Sequence, residues 1–120
     1  MRFGFDLEQS FEYISKIETI IKPLNPMVIY LHSSNIEQRV KLTAKERDGW
    51  LDGVIDYHVN SSYGKSINAD GFDGYISCLL ERQKRECKIL ERLSIKNVVI
   101  EDAQSDWEEA YQRIRQRIEE

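Results

Sequence analysis

Met27-Val28-Ile29-Tyr30-Leu31, followed closely by Ser34-Asn35-Ile36-Glu37, decides the fold. The first stretch is a continuous apolar run rich in β-forming residues. It is bounded by turn residues and too short for a helix, so it suits a strand covered on both faces, as in a parallel sheet. The second stretch has the form of a capping box, with a serine side chain at the helix start and a glutamate three positions on. Strand, short polar turn and capped helix together make one βα unit.

Working outward, Asp6-Leu7-Glu8-Gln9 starts an earlier helix carrying Leu7, Phe11, Ile14, Ile17 and Ile21 at helical spacing. Pro23 and Pro26 end it, because neither has a backbone N–H to donate. Downstream, a helix runs through Ile36, Val40 and Leu42 into Lys45-Glu46-Arg47-Asp48, and Gly49 breaks it. Trp50, Leu51, Val54, Ile55 and Val59 mark another helix, and residues 60–74 read as a loop. Asp70 or Asp73 starts a long helix with Ile76, Leu79, Leu80, Cys87 and Leu90 on its buried face. Its wet face carries Glu81, Arg82, Lys84, Arg85, Glu86 and Lys88, with a Glu81–Arg85 pair one turn apart. Asn97-Val98-Val99-Ile100 is a second strand, and Ser105-Asp106-Trp107-Glu108 is a third capping box. Trp107, Ala110, Tyr111, Ile114 and Ile118 then form an apolar stripe on a final helix. The expectation is one α/β domain over residues 1–120, helix-rich, in the order α-β-α-α-α-β-α. Its short sheet has about two strands, parallel and joined by a right-handed crossover. So narrow a parallel sheet reads like part of a larger one.

The 21 acidic residues exceed the 17 basic ones, leaving a net charge of −4, which argues against a nucleic-acid partner. No apolar run reaches the length of a membrane span. Met1-Arg2-Phe3-Gly4-Phe5 is no signal peptide, because Asp6 and Glu8 follow at once. Cys78 and Cys87 fall in one helical pattern, nine residues and roughly 13.5 Å apart along the axis. That is too far for a disulfide, so they read as buried free thiols in a reducing, cytoplasmic compartment. The acceptor pattern Asn60-Ser61-Ser62 is accidental in that setting.

Gly64-Lys65-Ser66 invites comparison with the phosphate-binding loop G-x-x-x-x-G-K-[ST]. The first glycine would fall at Val59, and the triplet neither follows a strand nor opens a helix, so it reads as a surface loop. Arg39, Lys41, Lys45 and Arg47 cluster within nine residues, as a solvated helix face or as a basic segment that closes over phosphates. His32 ends the first strand and Glu101-Asp102 ends the second, where parallel-sheet sites form. A strand-end cap is the plainer role for His32, and helix-start charge the plainer role for the two acids. No metal-ligand pattern is present. Trp50 and Trp107 fall on apolar faces and are expected in the core.

Several segments together resemble the later half of P-loop nucleotide kinases, specifically thymidylate kinase-like and related small-molecule kinase-like proteins. They are Asn25-Pro26 with the first strand, the capped helix with Arg39, and Glu46-Arg47 before Trp50. Asn60 to Lys65, Gly71-Phe72-Asp73-Gly74, and Ile100-Glu101-Asp102-Ala103 through Trp107 extend the match from about residue 7 to the end. The resemblance implies a partial P-loop fold in which strand 27–31 corresponds to the fourth strand of the full sheet and 98–100 to the fifth. Segment 39–47 looks like the lid, with Arg39, Lys45 and Arg47 facing phosphates, and Asp102, Ala103 and Gln104 like the loop beside the base. The glycine loop and the magnesium-linked acidic motif of the family would precede residue 1.

These readings lead to an expectation of a truncated kinase-like domain, non-catalytic alone, with residual nucleotide or phosphate binding. ATP and Mg²⁺ enter only if the missing half is supplied. The partner is then a homo-oligomer or that N-terminal half. The unpaired edge of strand 27–31 is covered by the first helix or paired with a second chain. A different class is a protein-interaction module or self-associating scaffold without ligand chemistry, marked by a large exposed apolar patch. An enzyme would require His32, Glu101 and Asp102 to converge on one cleft.

Overall fold

The computed structural model describes residues 6–120; the Met1 to Phe5 stretch read above as no signal peptide lies outside them. Helix α1 spans Leu7–Ile21, and a 3-10 turn, Lys22–Leu24, carries Pro23. Strand β1 is Met27–His32, followed by α2 (Ile36–Glu46), α3 (Trp50–Val59), α4 (Ser62–Ser66) and α5 (Gly71–Arg92). Strand β2 is Lys96–Glu101, then a 3-10 turn, Ala103–Ser105, and α6 (Trp107–Glu119). The chain is a small helix-rich α/β domain with a two-stranded parallel sheet among the described residues.

Local chemistry explains the element starts. Asp6 accepts from the Gln9 amide at 2.7 Å while the Gln9 side chain accepts from the Asp6 amide at 3.0 Å, so the first capping box forms as read. The other two boxes shift by one residue. Asn35, not Ser34, caps α2 by accepting from the Gln38 amide, because Ser34 is taken by Asp102. Asp106, not Ser105, caps α6 by accepting from the Glu109 amide. Gly49, at φ +74°, supplies the left-handed turn between α2 and α3.

Residues 60–74 are not a loop. Ser61 accepts from the Gly64 amide at 3.0 Å and donates its hydroxyl to the His58 carbonyl at 2.6 Å, which opens α4 directly off the end of α3. Helix α5 then begins at Gly71. The triplet Gly64-Lys65-Ser66 thus lies inside a helical turn. A β-carbon on Gly64 would meet the His58 carbonyl oxygen at 2.2 Å and the Val59 carbonyl oxygen at 2.8 Å. The glycine is there to let α4 close onto α3.

Helix α5 is the spine. Helices α2, α3 and α4 pack along it, and α1 lies against it, where Arg92 pairs with Glu8 at 2.7 Å and stacks over the Phe11 ring. Its buried face carries Tyr75, Cys78, Ile89 and Leu90. Leu80, expected inside, is 53% exposed, because it sits about 200° round the helix from Cys78. The Glu81–Arg85 pair forms at 3.3 Å.

Strands β1 and β2 run in register from Met27 beside Lys96 to His32 beside Glu101. One sheet face turns Val28 and Tyr30 toward α5 and α1, where they share an apolar groove with Ile14, Ile89, Leu90 and Leu93. On the other face, Val98 and Ile100 pack with Ala103, Ala110 and Ile114 under α6. Helix α6 covers β2 but leaves the neighbouring β1 residues on that face open: Ile29 is 44% and Leu31 51% exposed. The strand expected to be covered on both faces is covered on one. Trp107, expected in the core, is 45% exposed.

The molecule is a plate of 44 × 35 × 19 Å with a radius of gyration of 16.3 Å, against about 13.6 Å for a compact chain of this length. Its accessible surface is 8201 Å², where a folded monomer of 14.2 kDa has about 6,800 Å².

Gly64→Ala tests the α3–α4 contact. Elsewhere in a helix this change stabilises by up to about 1 kcal/mol, but here the added methyl meets two carbonyl oxygens. A loss of about 2 kcal/mol or more is expected in urea unfolding followed by circular dichroism. An unchanged or raised midpoint would contradict the contact.

Candidate functional site

Parallel pairing brings the C-terminal ends of both strands to one edge of the sheet, so side chains 69 positions apart in sequence meet there. His32 Nδ1 lies 2.8 Å from Glu101 Oε2. The Asp102 amide donates to the His32 carbonyl at 2.8 Å, continuing the ladder by one bond. Asp102 then turns into the left-handed region, at φ +46°, which swings its carboxylate back over the β1–α2 turn. There it accepts from the Ser34 hydroxyl at 2.5 Å and the Ser34 amide at 2.9 Å. From the other side, the Gln83 amide group bonds both main-chain groups of Ser33, at 3.0 and 3.1 Å, tying the strand end to α5.

The Ser34 hydroxyl, then its amide, hold the Asp102 carboxyl below its ordinary range, and the charges of His32 and Arg39 add to this. His32, Ser34, Glu101 and Asp102 therefore do converge. Their bonds, however, are made to one another. The Ser34 hydroxyl donates to a carboxylate rather than to His32, so no imidazole is placed to take its proton, and the pattern of a serine nucleophile is not formed.

The neighbouring cleft, about 310 Å³, is lined by Glu101, Asp102, Asp106 and Glu109 with Arg113 as its one cation. Four carboxylates around one guanidinium disfavour a phosphate there. No group of three or more His, Cys, Asp or Glu side chains suited to a metal ion occurs among the described residues.

The residues expected to serve phosphates lie apart. Arg39 projects from the first turns of α2, near enough to Asp102 to lower its pKa. Lys45 is six residues on, about 9 Å along the axis and about 120° away from the Arg39 side of the helix, and Arg47 caps the helix end. Both are exposed. Lys41 instead pairs with Glu37 at 3.2 Å. Of the loop likened to a base-binding segment, Asp102 bonds Ser34, Ala103 is buried in the small core with Ile100 and Ala110, and Gln104 sits half-buried in the 3-10 turn.

The feature that sequence reasoning missed is the open face on the α6 side. Besides Ile29 and Leu31, it includes Trp107 (45% exposed), Tyr111 (55%) and Ile118 (62%). The Trp107 and Tyr111 rings are stacked with centroids 5.8 Å apart. The available signal was the strand count: one helix cannot cover two strands and also bury its own flank.

The strand-end geometry predicts a pH response. A depressed carboxylate contributes stability that is complete above its unfolded value, about 3.9, and is lost as pH falls through the lower folded value. The Asp102 carboxyl is expected to titrate below the ordinary range by NMR, and Ser34→Ala to move its midpoint upward. An unmoved midpoint would show that Ser34 is not the cause.

No family model, curated protein or solved structure matches the chain.

Proposed function

We propose that this chain is a protein-interaction module, non-catalytic by itself, whose open α6-side face is completed by another polypeptide. The observation that carries this reading is the set of exposed apolar side chains Ile29, Leu31, Trp107, Tyr111 and Ile118 on one side of a plate 19 Å thick. Monomeric proteins rarely leave large apolar residues grouped in this way, and such groups mark contact surfaces. Aromatic residues are the side chains most often found as anchors at interfaces.

A partial P-loop kinase-like sheet would present such a face where its remaining strands and helices belong, so an origin as half of that fold is compatible with the reading. The acid-rich strand ends and the dispersal of Arg39, Lys45 and Arg47 favour no residual nucleotide or phosphate site, and ATP and Mg²⁺ are not assigned to the chain. No helix among the described residues is long and apolar enough to cross a membrane. Free thiols at Cys78 and Cys87 suit a cytoplasmic setting.

Two measurements test the reading. Protein diluted until it is monomeric is expected to enhance the fluorescence of an apolar dye such as 8-anilinonaphthalene-1-sulfonate, and Leu31→Thr with Tyr111→Arg to remove most of that signal while leaving the far-UV spectrum intact. Titration with MgATP at about millimolar concentration is expected to give no heat of binding. Absence of dye binding by the monomeric chain would contradict an open apolar face, and a saturable heat would restore the nucleotide reading.

A further inference from the structure

We propose that the occupant of this face is a second copy of the chain, docked with α6 antiparallel to α6 across a two-fold axis. The proposal rests on the interaction-module reading and adds the partner's identity. Three observations support it: area, the spacing of the stripe, and charge.

The chain exposes about 1,400 Å² more surface than a folded monomer of its mass. A specific contact of standard size buries about 800 Å² per partner, which the surplus can accommodate on the α6 side. The radius of gyration points the same way, since a flat plate becomes compact when two are stacked.

Along α6, Trp107, Tyr111, Ile114 and Ile118 are spaced by four, three and four residues. That is the repeat of a helix–helix seam. Ala110 and Ile114 face the chain's own core, while Trp107, Tyr111 and Ile118 lie on the flank turned away from Glu109 and Arg113. The helix therefore has one apolar flank spent inside and one unspent.

Charge selects the partner and the direction. Glu108 and Arg115, seven residues apart and both exposed, border the unspent flank on the same side, with Tyr111 between them. In an antiparallel pair, Glu108 of each copy comes opposite Arg115 of the other, twice over. Trp107 of each is brought toward Ile118 of the other, and Tyr111 lies near the axis. A parallel pair would carry the two copies of Glu108 to opposite edges of the seam, about 10 Å along the axis from either Arg115, and neither contact would form. The self-complementary pattern is what an isologous two-fold contact requires. Ile29 and Leu31 lie on the same side of the sheet and extend the contact from the helix onto β1.

Sedimentation equilibrium with charge-swapped variants tests this. The unaltered chain is expected at twice 14.2 kDa. Glu108→Arg alone and Arg115→Glu alone are each expected to weaken self-association about tenfold or more, since each places two like-charge pairs in the contact. The double variant, and an equimolar mixture of the two single variants, are expected to regain it. That recovery also excludes misfolding as the cause of the single effects. A chain that stays monomeric at about 100 µM and still binds the apolar dye would overturn the second copy as occupant while leaving the interaction reading standing. A monomer that binds no dye would overturn both. A dimer indifferent to all four combinations would overturn the α6 pairing.

Discussion

The rest of the structure depends on the parallel pairing of β1 with β2. Parallel neighbours cannot be joined by a tight turn, because the chain must travel back along the full length of the sheet before the second strand begins. Here the return is made by α5, whose 22 residues span about 33 Å, enough to carry the chain from beyond the strand ends back past their start. Helices α2, α3 and α4 lengthen the connection and line the spine. At its far end, Glu18 of α1 secures the entry to β2 by accepting from the Ser94 amide and hydroxyl and from the Ile95 amide. Burial opposes ionisation of that carboxylate, but these three donors hold its pKa below the ordinary range. The pairing also explains why polar groups meet at one edge: in a parallel pair both strands finish together, so His32, Ser34, Glu101 and Asp102 share a site.

What could be read in the sequence was whatever depends on short-range periodicity. The apolar run at 27–31 and the spaced apolar residues of α1, α3 and α5 place their elements correctly, because those patterns reflect one covered side of a strand or helix. The caps were half legible. Ser34 and Ser105 have the right chemistry one residue too early, and only the tertiary fold shows that Asp102 claims Ser34. Helix α4 was not legible, because a five-residue helix has no period to detect. It forms through the Ser61 cap and the close approach that Gly64 allows. That approach also explains why Gly64-Lys65-Ser66 imitates a phosphate loop: glycine is needed wherever backbone comes near, whether the neighbour is a phosphate or a carbonyl oxygen.

The strand-end residues show the difference between convergence and function. Sequence position alone places His32, Glu101 and Asp102 at an edge where α/β proteins often build sites, and the fold does gather them. What the residue types could not show is how their bonding capacity is spent. The Asp102 carboxylate is occupied by Ser34, His32 lies against Glu101, and the cleft beyond is acidic. A phosphate-handling edge needs amide donors and cations left without internal partners. Here the left-handed turn at Asp102 aims a carboxylate at the Ser34 amide instead, and the cluster ties the ends of the two strands together.

Exposure is where sequence reading and structure part most widely, and the reason is geometric. An apolar stripe states that something covers a helix face, not that the same chain does so. The α6 stripe is about 100° wide, but β2 accommodates only the Ala110–Ile114 part of it, and among the described residues there is no third strand to take the rest. Ile29 and Leu31 meet the same shortage from the strand side. Two elements with independent sequence patterns are thus left bare on the same side of the molecule. A single surplus residue would be unremarkable; two periodic patterns left uncovered together are the ground for proposing that another polypeptide supplies the covering layer. The charges flanking the stripe suit a layer whose own acids and bases run in the opposite sense, a pattern α6 itself has when turned end for end, which is why the proposal names a second copy.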